Sequence, residues 1–165
     1  YQFLSGKSIL YAWNTSEDEV AGFNLPETTP GQAHIAVSAK LERELAEIED
    51  PEELEMFMSD LGVTESALNR VIAKTYELLG LISFLTAGEK EVRAWPVRVG
   101  STAPEAAGVI HSDFQKGFIR AEVIGYDDFL SCGTFKKAKE LGLARLEGKE
   151  YIVQDGDIIE FRFNV

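Results

Sequence analysis

The chain has 165 residues, 45% of them hydrophobic, which is enough to bury a core as one large domain or two small ones. Its single cysteine, Cys132, excludes an internal disulfide framework and suits a reducing compartment. No apolar run approaches a membrane span and no charged, apolar, small-residue leader stands at the start, so a soluble, cytoplasmic protein is expected. The formal charge of −12 is uneven: residues 1–81 hold 5 Lys+Arg against 15 Asp+Glu, leaving 11 against 13 in residues 82–165. The first part is strongly acidic, while the second is near neutral and can present a local basic face from Lys116, Arg120, Lys136, Lys137 and Lys139.

In chain order, Gly6-Lys7-Ser8 mimics the end of a phosphate-binding loop, but the first glycine of G-x-x-x-x-G-K-[ST] would fall at Tyr1. Ser8–Trp13 is a short apolar run of buried-strand type rather than the helix such a loop must open into. His34–Val37 is a second such run, and each ends in a polar loop: Asn14-Thr15-Ser16-Glu17 after the first, Ser38-Ala39-Lys40 after the second. Repeated strand-loop units are how an open α/β sheet presents a ligand at its carboxyl edge. Taken alone, Asn14 and Glu17 read as turn or helix-cap residues rather than as a binding pair.

Asp50 should cap a helix at Pro51, Gly62 should break it, and Thr64 should cap the next. Leu68, Val71, Ile72, Tyr76 and Leu79 recur at helical spacing and predict one buried stripe. Thr86-Ala87-Gly88 then reads as a link between domains, placed after a composition shift near residue 82. Glu91–Val99 predicts a strand with Val92, Ala94, Pro96 and Arg98 on one face, and Pro96 assigns it an edge or a bulge.

Ser101 or Thr102, followed by Pro104 and Glu105, starts a short helix to about His111. Ser112, Asp113 and Gly117 turn the chain into a strand from Phe118. A helix around Phe135–Leu141 ends at Gly142, Tyr151–Val153 follows, and Gln154-Asp155-Gly156-Asp157 is a hairpin turn into the strand Ile158–Val165. This order suits a small mixed sheet grasping one helix, with Trp95, Phe118, Phe161 and Phe163 in or beside the core and Phe114 there or exposed. His111, Asp113 and the distant His34 are too few for a metal site of usual ligand count, so no metal ligand is assigned, and Cys132 has no base or CxxC partner.

The run AAGVIHSDFQKGFIRAEVIGYDDF, with the ending YIVQDGDIIEFRFNV, resembles a TGS domain, the ubiquitin-like β-grasp module of threonyl-tRNA synthetases, certain GTPases and stringent-response synthetases. FLTAGEKEVRAWPVRVGSTAPEAAGVIHSDFQKGFIRAE, with the terminal FNV, resembles more closely the C-terminal domain of YchF, the Obg-like ATPase family, over residues 82–165. The fold class implied is α+β. Residues 82–165 would be the TGS domain, and residues 1–81 the C-terminal part of a P-loop α/β nucleotide-binding domain.

In P-loop GTPases the corresponding loops hold the base, normally as Asn-Lys-x-Asp and Ser-Ala-Lys, whereas this chain has Asn-x-x-Glu. A guanine reader needs a carboxylate that accepts from the ring N–H and the exocyclic amino group, and adenine offers no such ring N–H. The longer Glu17, with Thr15 at the usual lysine position, weakens that geometry. The resemblance therefore implies a base pocket from Asn14, Thr15, Glu17, Ser38, Ala39 and Lys40, with Asn14 on an adenine edge and ATP, or GTP, held with Mg2+ in the intact protein. Thr15 departs from the apolar residue usual in the family.

The resemblance further implies an ATP-hydrolysing switch that meets the ribosome, RNA or a protein partner through the TGS domain, near His111, Lys116 and Arg120. The phosphate loop, Mg2+ ligands and switch segments have no counterpart in these residues, so the chain alone is expected to be catalytically inactive. The alternative is a non-enzymatic TGS module binding RNA, the ribosome or a protein, and a third possibility is a β-grasp unit used only for packing.

Overall fold

A computed structural model describes residues 3, 6–88 and 91–164, and divides the chain into two compact units, Tyr1–Leu79 and Gly80–Val165. Tyr1 and Val165, on which parts of the sequence reading fall, lie outside the described residues.

In the first unit, β1 (Ile9–Asn14) and β2 (Gln32–Val37) pair in parallel, with Asn14 opposite Val37 at their shared carboxyl end. The strand at Ile9, directly after Gly6-Lys7-Ser8, removes the helix a phosphate loop requires. A one-turn α1 (Glu17–Val20) follows β1, and α2 (Ala39–Glu47) follows β2. Helix α2 buries Leu41 and Leu45, four residues apart, while Lys40, Arg43 and Glu47 stay exposed. Asp50 caps α3 (Pro51–Asp60) as expected, its Oδ1 accepting from Glu52 N at 2.9 Å.

Two expectations for α4 (Ala67–Leu79) are corrected. Its cap is Ser66 rather than Thr64: Ser66 Oγ accepts from Asn69 N at 3.2 Å, while the Glu42 carboxylate of α2 takes Ala67 N at 2.7 Å. The apolar stripe is not buried as a whole, because Leu68, Ile72 and Leu79 stay 63, 48 and 46% exposed. The packed side is offset, with Ala67 buried, Val71 half-buried and the Arg70 guanidinium donating to Ala36 O of β2 at 3.3 Å. Residues one apart lie about 100° round a helix, so a broad apolar stripe does not say which flank turns inward.

The second unit is a five-stranded mixed sheet in the order β4-β3-β7-β5-β6, built from β3 (Leu81–Ala87), β4 (Val92–Arg98), β5 (Phe118–Ile124), β6 (Arg145–Glu147) and β7 (Ile158–Phe163). Strands β3 and β7 run parallel and the other pairs antiparallel, the β-grasp arrangement. Helix α5 (Ala103–Ile110) brings Ala103, Ala106 and Ala107, all at 0% exposure, into the same core as Phe84, Phe118, Val123, Ile159 and Phe161. Alanines there let helix and sheet approach closely, and Phe161 meets Phe84 edge-on at 5.8 Å. At the start of α5, Glu105 Oε2 accepts from the Thr102 amide at 2.7 Å and its hydroxyl at 3.0 Å, which holds the Glu105 carboxyl below its usual range.

Thr86 and Ala87 are not a link but the end of β3, where Thr86 Oγ1 accepts from Trp95 Nε1 at 3.0 Å. Pro96 sits on edge strand β4, where its missing N–H breaks no ladder. The polar turn after α5 is a short helix, α6 (Ser112–Lys116). Helices α7 (Tyr126–Cys132) and α8 (Phe135–Glu140) fill the connection to β6; of these, α7 and β6 carry no periodic signal in the sequence. Gln154–Asp157 is a turn, with Asp157 N donating to Gln154 O at 3.2 Å, but no hairpin: Ile152 bridges Thr102 instead, and Gly156 N donates to Ser83 O at 2.8 Å.

Candidate functional site

The carboxyl ends of β1 and β2 bring the six residues of the first candidate site together through two cross-loop ties. Backbone pairing continues one step past the strands, where Thr15 N donates to Val37 O at 2.8 Å. That places Asn14 beside the start of α2, and its Oδ1 accepts from Ala39 N at 3.0 Å. Three residues on, Glu17 Oε1 meets Lys40 Nζ at 2.5 Å, with Glu44 Oε1 at 3.6 Å from the same ammonium. The bond and charge of Glu17, then the charge of Glu44, push the Lys40 pKa up.

Ser38, 2% exposed, caps α2 by accepting from Leu41 N at 3.4 Å through Oγ. The Thr15 hydroxyl contacts the carbonyls of Ser16 and Val37 at 3.4 Å each. Ser38 and Thr15 thus shape the loops, while Asn14, Ala39 and Lys40 lie exposed. The arrangement offers an amide, a carboxylate and an ammonium at a strand edge, suited to hydrogen-bonding a planar polar ligand.

An aromatic row that sequence reading did not single out borders this edge. Tyr11 stacks on His34 at 5.0 Å between centroids, Trp13 Nε1 donates to His34 Nδ1 at 3.2 Å, and Phe23 lies 6.0 Å from the Trp13 ring. The alternation of Tyr11 and Trp13 along β1 was the available signal; the register that puts His34 beside them was not legible.

The second candidate group divides. His111 is the cap of α6, its Nδ1 accepting from Asp113 N at 3.2 Å, so it stabilises the turn. Lys116, 79% exposed at its side chain, lies 4.0 Å from Asp113 Oδ1. Arg120 stands exposed on β5 opposite Arg162, and among the described residues it forms no ion pair, whereas Arg162 is held by Glu122 at 3.3 Å and Glu160 at 3.1 Å. Lys139 joins the same cluster through Glu122 and Glu160. Phe114 stacks on Phe163 at 3.8 Å and packs against the core.

Fold and site define a mixed α/β chain in which tied strand-edge loops precede a β-grasp unit. The YchF-GTPase_C family, described as a protein of unknown function (DUF933), matches residues 81–164. The chain is 53% identical over 98% of its length to the "Ribosome-binding ATPase YchF" of Bacillus subtilis (strain 168), and 52% identical over all of it to the protein of that name in Haemophilus influenzae. Its fold is similar to the solved Schizosaccharomyces pombe YchF GTPase, with a TM-score of 0.77, 34% identity, and coverage of 96% of this chain and 44% of that one. The chain belongs to the YchF family. It spans 46 to 47% of the length of these two curated relatives.

Proposed function

We propose that this chain is the base-recognition and partner-binding part of a nucleotide-hydrolysing YchF-type protein of the cytoplasm. Asn14, Thr15, Glu17, Ser38, Ala39 and Lys40 form the base pocket for ATP, with GTP the competing nucleotide and Mg2+ acting at the phosphates. Residues 82–165 serve as a TGS domain that meets the ribosome, its RNA or a protein through Lys116 and Arg120, with His111 shaping the approach.

The observation that carries the reading is the pair of ties Asn14–Ala39 and Glu17–Lys40, which joins two loops at the carboxyl edge of parallel strands in a chain of this family. The ribosome enters because the relatives are named ribosome-binding ATPases.

Phosphoryl transfer needs a phosphate cradle, a metal site and a positioned water, and the 165 residues contain no G-x-x-x-x-G-K-[ST] sequence. The chain therefore contributes orientation of the base but no attacking group. The test is Mg2+-dependent ATP turnover by the 165 residues alone. Release of phosphate at the buffer rate is expected, and turnover above it would overturn this division of labour.

A further inference from the structure

The two ties between the loops use the groups a guanine edge would require. Guanine presents a ring N–H and an amino group to a carboxylate, and a carbonyl oxygen to a donor. Here Glu17 Oε1 is held by Lys40 at 2.5 Å, and the nearby Ala39 amide is committed to Asn14 Oδ1 at 3.0 Å. Because only an oxygen can accept from that amide, the Asn14 carboxamide is oriented and its NH2 is the group left to donate. Adenine's ring nitrogens accept from such a donor, and adenine has no ring N–H seeking a carboxylate.

Resting on the reading of these loops as a base pocket, we propose that Lys40 determines nucleotide specificity by holding the Glu17 carboxylate away from guanine. A guanine base that takes both oxygens of the Glu17 carboxylate competes with the ammonium for Oε1, whereas an adenine base leaves the pair intact. A site built to satisfy polar groups discriminates through those left unpaired, so sequestering one carboxylate is enough to change the ranking of two purines. The Lys40 side chain is 66% exposed and so acts through charge rather than packing, and its replacement does not threaten the fold. Glu44, 3.6 Å from the same ammonium on the next turn of α2, keeps Lys40 on this side of the loop.

The experiment titrates the gene product carrying these residues with ATP and with GTP, by calorimetry, and reads the ratio of the two affinities. Lys40→Met frees Glu17 and is expected to lower the ATP-over-GTP ratio about threefold, a change of about 0.7 kcal/mol. Lys40→Arg, which keeps the pair, should preserve the ratio, and adding Glu17→Gln to Lys40→Met should abolish the gain in GTP affinity. Arg43→Met is the control on the same helix, since Arg43 pairs with Glu47 at 3.8 Å and should leave the ratio unmoved. An unchanged ratio in Lys40→Met, a gain that survives Glu17→Gln, or a wild-type preference for GTP would overturn the inference while leaving the base pocket standing. Wild-type protein that binds neither nucleotide would overturn the pocket reading and this inference with it.

Discussion

Gly117 stands where the final strand's exit passes under the start of β5, and its carbonyl accepts from Asn164 N at 2.9 Å. A Cβ built on it would lie 2.0 Å from Asn164 O, a backbone atom that cannot swing aside. Its φ of −89° is open to any residue, so the demand is for space rather than for a left-handed turn. Gly117→Ala should therefore cost about 1–3 kcal/mol in chemical denaturation, whereas Gly22→Ala, with nothing within 4 Å of its Cβ, should stay within about 0.5 kcal/mol.

Glu122, on β5, shows the same dependence on surroundings in its charge. It is 6% exposed, and burial alone would raise its pKa, but bonds and charge from Lys139 and Arg162 prevail and hold it below its ordinary value of 4.5. A depressed carboxylate stabilises the fold above its unfolded pKa, and that stabilisation is lost as pH falls through the lower, folded value. Stability measured from pH 7 down to about 3 should thus fall through this acid limb, and Glu122→Gln should flatten the limb while costing about 1–3 kcal/mol at neutral pH.

Among the elements, those with strong local chemistry were legible in the sequence. Asp50-Pro51 marked the start of α3, Thr102-Ala103-Pro104-Glu105 that of α5, and the apolar runs marked strands β1 and β2, though β1 is largely exposed rather than buried. What failed depends on partners outside the local segment. In sequence Thr86-Ala87 looks like a link, and only Trp95 set beside it on β4 shows it to be the end of β3. The Gln154–Asp157 turn looked like a hairpin because the alternation after it is clear, yet the preceding residues pair with the start of α5.

The proposed partner surface belongs to this scale too, since α6 and β5 place Lys116 and Arg120 on either side of Gly117. On that reading, the paired change Lys116→Ala with Arg120→Ala should weaken co-sedimentation with ribosomes and reduce the slope of log affinity against log salt by about two. Unaltered binding and slope would favour a β-grasp unit that only packs.

At the scale of the molecule, the two units carry unlike charge, and the proposed function gives them unlike tasks. The acidic first unit is suited to a base through directed hydrogen bonds, and the near-neutral second unit presents exposed cations. The motif Asn14-Thr15-Ser16-Glu17 was readable as a candidate base loop, but its pairing with Ser38-Ala39-Lys40 depends on parallel register, which puts Asn14 opposite Val37. On the proposed reading that register makes one site of two short loops, with the Asn14 side-chain NH2 left without a partner among the described residues. The most direct measurement is therefore ATP binding by the gene product carrying these residues, wild type against Asn14→Ala, with thermal melting as the control for folding. A loss of affinity of about tenfold or more with an unchanged melting temperature is expected, and equal affinity in the two proteins would contradict a base pocket at these loops.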